Sequence, residues 1–152
     1  TSFNYKNKGR SDLSLKEIKF NSNSPIYLQI SKYFESRVFL GELEPGSLIP
    51  SRRELAGLLG VNLNTVQKAY SYMDEIGLII TEKSKGSMIT SDLAKLKDLR
   101  EDYIKEPLLD FITIMKSINI PKDKVIGLLD QYYDEIKEDL TDDTSAESNK
   151  KI

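Results

Sequence analysis

Two short helices separated by a tight connection constrain the fold of this chain more than any other feature. Ser51–Glu54 forms a capping box, in which the Ser51 hydroxyl accepts a hydrogen bond from the Glu54 backbone N–H and the Glu54 side chain reaches back to Ser51. The helix that it opens ends after about two turns at Gly60, and Asn62 caps the next helix. The apolar residues of that second helix recur with a period of about 3.6. These proportions predict a helix-turn-helix.

The sequence changes its period after the second helix ends at Gly77. Leu78–Thr81 and Ser87–Thr90 are predicted strands, and Lys83–Gly86 joins them. These segments predict a β-hairpin with a basic tip that contains a glycine. A helix-turn-helix followed by such a hairpin is typical of a winged helix-turn-helix, and the order and spacing of the parts indicate this fold more strongly than any part alone.

Helical patterns flank this motif on both sides. Ser24 is a candidate N-cap, Pro25 suits the first helical position, and the helix that follows is expected to end near Leu40–Gly41. In the C-terminal third, Pro107 is expected to kink or restart the helix, and Ile120–Pro121 to break the chain before a last helix. Four large side chains of these patterns are expected in the core: Tyr27, Phe34, Tyr70 and Met73.

The predicted fold class is α+β and mainly helical, with an N-terminal winged helix-turn-helix and a short C-terminal helical segment for dimerisation. Ile18–Asn21 is a candidate extended piece, and the last helix carries the apolar residues of Val125–Ile136. The predicted domains are a flexible N-terminal arm (1–23), a winged helix-turn-helix DNA-binding domain (24–91), a helical dimerisation or effector segment (92–139) and a disordered tail (140–152).

The residue types present argue against an enzyme. The chain contains neither Cys nor His, which excludes disulfides and thiolate metal sites and removes the commonest general base and the commonest zinc ligand. No Gly-rich phosphate loop, nucleophile elbow or kinase signature is present. We therefore expect no enzymatic activity and no cofactor. No run of about 18 apolar residues and no signal-peptide pattern occurs, so we expect a cytoplasmic protein without a membrane span.

Charge is distributed unevenly along the chain. The net charge of −2 combines +3 over residues 1–23, zero over residues 24–90 and −5 over residues 91–152. An overall acidic balance argues weakly against nucleic-acid binding, but DNA binding depends on local positive charge. The distribution argues against the C-terminal third as a DNA contact.

Residues 25–90 resemble the GntR family of bacterial regulators. The resemblance lies in P-I-Y-L-Q-I at residues 25–30, Pro45–Gly46, residues 49–56 with Arg53, N-x-N-T-V-x-K-A-Y at residues 62–70, and Gly86 in the wing. The first and fourth of these look most like the YtrA-type subgroup. Only 62 residues follow Thr90, too few for the larger effector domains of the family, and its metal-binding effector domain would need His ligands. The resemblance implies a short pair of dimerising helices at residues 92–139.

The resemblance also implies DNA contacts from Arg53, from the start of the second, or recognition, helix and from the wing tip. Many relatives carry Arg early in the recognition helix, where this chain has Leu63 and Gln67, so the usual contact with guanine is missing. Ordinary surface charge is the alternative for Arg52 and Arg53, and capping is expected to be the main role of Asn62. The predicted DNA-contacting residues are Ser51, Arg52, Arg53, Asn62, Asn64, Thr65, Gln67, Lys68, Lys85 and Gly86.

The C-terminal helices carry more apolar residues than two short helices can bury against each other. We therefore expect a second copy of the chain to cover the remainder. A homodimer would double the DNA contacts and read a palindromic operator. The predicted dimer interface consists of Leu108, Phe111, Ile112, Met115, Leu129, Tyr132 and Ile136.

The sequence thus predicts a transcription regulator, a repressor that binds a double-stranded DNA operator as a homodimer. Release by a small-molecule effector is part of this hypothesis, although no sequence feature identifies a ligand. Two alternatives remain: a winged helix that binds a partner protein, and a ligand-controlled assembly module. Neither alternative reads DNA.

Overall fold

The computed structural model of the chain describes residues 18–136. Most of the predicted arm and the whole predicted tail therefore lie outside the described residues. The described part consists mainly of helices, with one two-stranded antiparallel sheet. This confirms the predicted fold class. No helix between residues 18 and 136 is long and apolar enough to span a membrane.

Three helices and a hairpin build the winged helix-turn-helix. Their bounds are Ile26–Phe39 for α1, Arg52–Leu59 for α2, Leu63–Glu75 for α3, Ile79–Glu82 for β1 and Gly86–Ile89 for β2. Each strand is displaced by one residue from its prediction, and the connecting turn is Lys83–Lys85. Pro25, instead of Ser24, is the N-cap of α1, and no side chain caps this helix.

The caps of the two central helices are those expected from the sequence. Ser51 Oγ accepts a hydrogen bond from the Glu54 N–H at 3.2 Å, and Asn62 Oδ1 accepts one from the Asn64 N–H at 2.8 Å. Gly60 ends α2 in the left-handed region, at φ +64°. These contacts fix the short connection between α2 and α3, and they confirm the predicted helix-turn-helix.

The core lies where α3 packs against α1 and α2. Phe34, Tyr70 and Met73 are fully buried there, as predicted, whereas Tyr27 is only half-buried at the edge of the core. Leu55 is the one fully buried side chain of α2. The recognition helix α3 is therefore held from both sides, and its outer face is left free.

An isolated β-bridge, which the sequence did not predict, joins the wing to the residues that precede α2. Leu48 bridges Met88. The Ile49 N–H donates to the Ser87 carbonyl at 3.0 Å, and the Ile89 N–H donates to the Ser47 carbonyl at 2.9 Å. Because Ser47–Ile49 leads directly into α2, the wing and the start of α2 are fixed relative to each other.

Residues 18–23, the part of the predicted arm that the structure describes, pack on the domain. Ile18 and Phe20 are half-buried against the core, in irregular backbone instead of a strand. The Gln29 side chain accepts from the Asn21 N–H at 3.0 Å and donates to the Asn21 carbonyl at 2.8 Å. It also donates to the Ser24 carbonyl at 2.7 Å. These contacts hold residues 18–24 against the start of α1.

The C-terminal helices are α4, Leu93–Ser117, and α5, Lys122–Tyr132. α4 continues through Pro107, so of the two predicted alternatives the restart does not occur and the kink stays a prediction: one missing backbone hydrogen bond does not end a helix with helical turns on both sides. A short 3₁₀ turn, Tyr133–Glu135, follows α5. Ile136 lies beyond the helix in which it was predicted, because its backbone is extended and ends the 3₁₀ turn.

The chain divides into two compact units after Ile104, inside α4. The observed boundary lies later than the predicted one at residue 91, because Leu96 and Leu99 of α4 are buried in the core of the first unit. In the second unit, no residue between 105 and 136 is buried.

Replacement of glycine by alanine should have opposite effects on stability at Gly57, inside α2, and at Gly60, which ends it. Gly57→Ala should raise the free energy of unfolding by about 1 kcal/mol, because Gly57 is helical and a Cβ there meets nothing within 4 Å. Gly60→Ala should lower it by about 1 kcal/mol, because φ at Gly60 is +64°. Thermal unfolding measures both, and a lower melting temperature for Gly57→Ala would contradict the helical geometry described.

Candidate nucleic-acid interface

The start of α2 presents an exposed cation. Ser51 caps the helix from an exposed position, and Arg53 is exposed in the first turn. No described residue forms a hydrogen bond or an ion pair with the Arg53 guanidinium. A cation at a helix N-terminus opposes the helix dipole, so this guanidinium gains from an external anion. Such a group is suited to binding a phosphate.

Arg52 differs from Arg53 because it contacts the core. Its guanidinium lies over the ring of the buried Tyr70, 5.3 Å from the ring centroid. The Tyr70 hydroxyl donates to the Pro50 carbonyl, in the residue that precedes the Ser51 cap. Tyr70 therefore connects the recognition helix to the start of α2. Sequence reasoning assigned Tyr70 to the core alone, although a buried Tyr usually has a hydrogen-bond partner for its hydroxyl.

We expect Tyr70→Phe to lower the free energy of unfolding by about 1–2 kcal/mol, because the substitution leaves the buried Pro50 carbonyl without its donor. Chemical denaturation measures this effect. Tyr27→Phe is the matched control, since none of the described residues forms a hydrogen bond with the Tyr27 hydroxyl. Equal stability of the two variants would contradict the proposed role of the Tyr70 hydroxyl.

The outer face of α3 is polar and exposed. It consists of Asn64, Gln67, Lys68 and Ser71, at helical spacing opposite the buried stripe. Thr65 is half-buried, and Tyr72, two turns later on the same side, contacts Tyr27 of α1. The structure thus places Thr65 on the flank that faces α1, whereas Asn64 and Gln67 lie on the open face and Lys68 lies at its edge beside Tyr27.

Carboxylates limit this face at its C-terminal end. Asp74 and Glu75 are exposed in the last turn of α3, where they would repel phosphates. The part of α3 suited to DNA therefore extends from the Asn62 cap to Ser71. The Asn62 side chain is already engaged in capping, which agrees with its predicted main role.

The wing carries two lysines at its tip. Lys83 and Lys85 are exposed in the turn, and Lys85 Nζ lies 3.5 Å from a carboxylate oxygen of Glu82. Both partners are largely exposed, so the pair is weak and a phosphate can displace it. Gly86 begins β2 at φ +90°, which explains the glycine without any contact with DNA.

The neutral total of residues 24–90 conceals a basic face. Five of their seven basic residues lie on α2, α3 or the wing turn: Arg52, Arg53, Lys68, Lys83 and Lys85. The other two, Arg37 and Lys32, lie on α1. Arg37 pairs with Glu42 at 2.7 Å, and the Lys32 ammonium lies over the Tyr103 ring. Because Glu54, Asp74 and Glu75 lie on the same elements, α2, α3 and the wing turn together carry a net charge of +2, against −2 for the rest of residues 24–90.

The unit from residue 105 onward carries the predicted dimer interface. Leu108 and Leu129 are 47% and 48% exposed, and Ile112 and Tyr132 are exposed as well. Phe111, Met115 and Ile136 complete the prediction, the first two half-buried and the third exposed. No group of carboxylates between residues 18 and 136 is arranged to hold a metal ion.

Comparisons with known proteins identify relatives of this chain. Residues 26–89 match the family described as bacterial regulatory proteins, gntR family. The chain is 34% identical to the transcriptional regulator YhcF of Bacillus subtilis over 108 residues, which cover 71% of this chain and 89% of YhcF. It is 35% identical over 97 residues to the transcriptional repressor YtrA of the same bacterium, covering 63% and 75% of the two chains. A GntR family regulator from Listeria monocytogenes superposes with a TM-score of 0.69 at 34% identity, covering 74% of this chain and 98% of that one.

Proposed function

We propose that this chain, which belongs to the GntR family of bacterial regulatory proteins, represses transcription by binding a palindromic operator as a homodimer. The chain is a helix-turn-helix transcription regulator with the DNA-binding domain of that family. Its YtrA relative is a repressor by name, which favours repression here. The observation that carries the proposal is the concentration of cations on α2, α3 and the wing turn.

Each part of this basic face has a different task in the proposed complex. Arg53 and Lys85 contact phosphates and fix the position of the domain on the duplex. Asn64 and Gln67 reach base edges in the major groove, where amide side chains pair with adenine through its N6 and N7 atoms. Ser51, Asn62 and Gly86 shape the backbone that presents these side chains.

A second copy of the chain covers the apolar surface of residues 105–136. The two helical segments of this unit leave every described side chain at least partly exposed, including ten large hydrophobic residues. Such a surface is unfavourable in water, and burial against its own copy gives a two-fold symmetric dimer. Two-fold symmetry of the protein requires an operator with inverted half-sites.

Regulation by a small molecule completes the proposal. A ligand that shifts the dimer equilibrium by about 3 kcal/mol would change operator occupancy about a hundredfold. A repressor acts where the chromosome lies, so the proposal also places the protein in the cytoplasm.

Selection of bound duplexes from a random pool tests this function. We expect enrichment of inverted repeats whose half-site centres are separated by about one or more helical turns. A reporter under an enriched operator should then lose expression when the protein is present. Enrichment of single or direct half-sites would contradict the symmetric dimer. Failure to retain any duplex at low salt would favour a winged helix that binds a partner protein.

A further inference from the structure

Tyr27 of α1 contacts the exposed face of the recognition helix. The Lys68 ammonium lies over the Tyr27 ring, 4.3 Å from its centroid. On the same flank, the rings of Tyr27 and Tyr72 meet edge to face, with centroids 5.9 Å apart and an interplanar angle of 75°. Lys68 is exposed, whereas Tyr27 is half-buried. A fixed aromatic ring on one helix thus holds the end of a long, solvated side chain on another.

A cation held in this way still has a free side for an anion. The lysine ammonium carries three donors at the end of a flexible stem, and free rotation of that stem is lost when the ammonium binds a phosphate. The face of Tyr27 attracts the ammonium and limits the rotamers of Lys68 before DNA arrives. Less conformational freedom is then lost on binding, which increases affinity.

The position of the Tyr27 ring is itself fixed. Tyr72 supports the ring from α3. Two residues further along α1, Gln29 is hydrogen-bonded to both backbone groups of Asn21 and to the Ser24 carbonyl. The start of α1 is therefore held both by the recognition helix and by the residues before it.

We propose that Tyr27 is a positioning residue for DNA binding, which orients Lys68 toward a phosphate and extends the working interface onto the start of α1. This inference rests on the proposed function, because Lys68 acts here on operator DNA. Tyr27 acts through Lys68 and touches no nucleotide.

A double-mutant cycle on a selected operator tests the inference. The variants are Tyr27→Leu, Tyr27→Phe, Lys68→Gln and the double variant Tyr27→Leu/Lys68→Gln. Tyr27→Leu should weaken binding about threefold for each half-site, and Tyr27→Phe, which keeps the ring, should bind as the native chain does. The double variant should bind as Lys68→Gln does, because Tyr27 has nothing to orient once the ammonium is gone.

Two further readouts separate positioning from a structural role. The salt dependence of binding should stay unchanged in Tyr27→Leu, since Lys68 still displaces the same counterions, and should become shallower in Lys68→Gln. In the free protein, the Lys68 methylene protons next to the ammonium should show an upfield NMR shift from the Tyr27 ring. This shift should persist in Tyr27→Phe and vanish in Tyr27→Leu.

Three results would overturn the inference. An equal loss in Tyr27→Phe and Tyr27→Leu would assign the effect to the hydroxyl. An undiminished effect of Tyr27→Leu in the Lys68→Gln background would make Tyr27 structural. An absent ring shift in the native chain would exclude the contact. If the native chain binds its operator but the effects of the two substitutions simply add, only this inference is refuted. If the native chain binds no duplex, the proposed function is refuted.

Discussion

We expect Arg53→Ala to lower the affinity for a half-site about thirtyfold, which corresponds to the loss of about 2 kcal/mol from charged hydrogen bonds to DNA. The reason is the position of this guanidinium, which is exposed at the start of α2 and engaged by no described residue. For the same reason the variant should keep its melting temperature. Electrophoretic mobility shift or fluorescence anisotropy measures the affinity, and differential scanning calorimetry measures the melting temperature.

Lys97→Ala is the matched control for this substitution. Lys97 is also an exposed cation, but it lies on α4, outside α2, α3 and the wing. Its replacement should change affinity less than twofold, as expected of a surface charge remote from the duplex. If Arg53→Ala binds the operator as tightly as Lys97→Ala does, the assignment of Arg53 is wrong.

We expect Phe111→Asp to convert the proposed dimer into monomers. Phe111 lies among exposed apolar side chains of α4, and a carboxylate buried in their interface would have no partner to offset its desolvation. The expected penalty of several kcal/mol raises the dissociation constant at least about a hundredfold. Analytical ultracentrifugation measures the change. Operator binding should weaken with it, because each monomer contacts one half-site.

Thr113→Asp is the control for the charge itself. It places the same carboxylate on the same helix two residues away, on the polar side of α4 with Asp110 and Ser117. This variant should remain dimeric. Leu108→Asp repeats the test at a side chain that is already 47% exposed in the single chain, so its folding is less at risk. Dimers that persist in both Phe111→Asp and Leu108→Asp would place the interface elsewhere.

The features that the sequence predicted correctly depend on local interactions. A capping side chain bonds a backbone N–H two or three residues away, so Ser51 and Asn62 can be recognised without tertiary structure. Gly60 is recognisable for the same reason, since a left-handed residue at a helix end favours glycine. These local signals locate α2 and α3, and through them the outer face of the recognition helix.

The features that the sequence did not reveal depend on distant contacts. The bridge between Leu48 and Met88 involves a single pair of residues, so the sequence around Leu48 has no strand-like periodic pattern. The contact of Arg52 with Tyr70 joins residues on different helices, so the sequence could not distinguish Arg52 from its exposed neighbour Arg53. The same holds for Tyr27 and Lys68, whose approach depends on the packing of α1 against α3.

The division of the chain inside α4 has a similar origin. A helical period indicates that α4 exists, but not which of its turns belong to which core. Leu96 and Leu99 belong to the buried core of the first unit, whereas no described residue after Ile104 is buried. Only the packing distinguishes these two groups.

The central claim is that α2, α3 and the wing form one phosphate-binding face, and the salt dependence of duplex binding by the intact chain tests it most directly. With Arg53, Lys68 and Lys85 of each subunit on phosphates, a dimer displaces about six counterions. The logarithm of the binding constant should then fall linearly with the logarithm of salt concentration, with a slope of about −5. A slope near zero, or no binding of any duplex at low salt, would contradict the account.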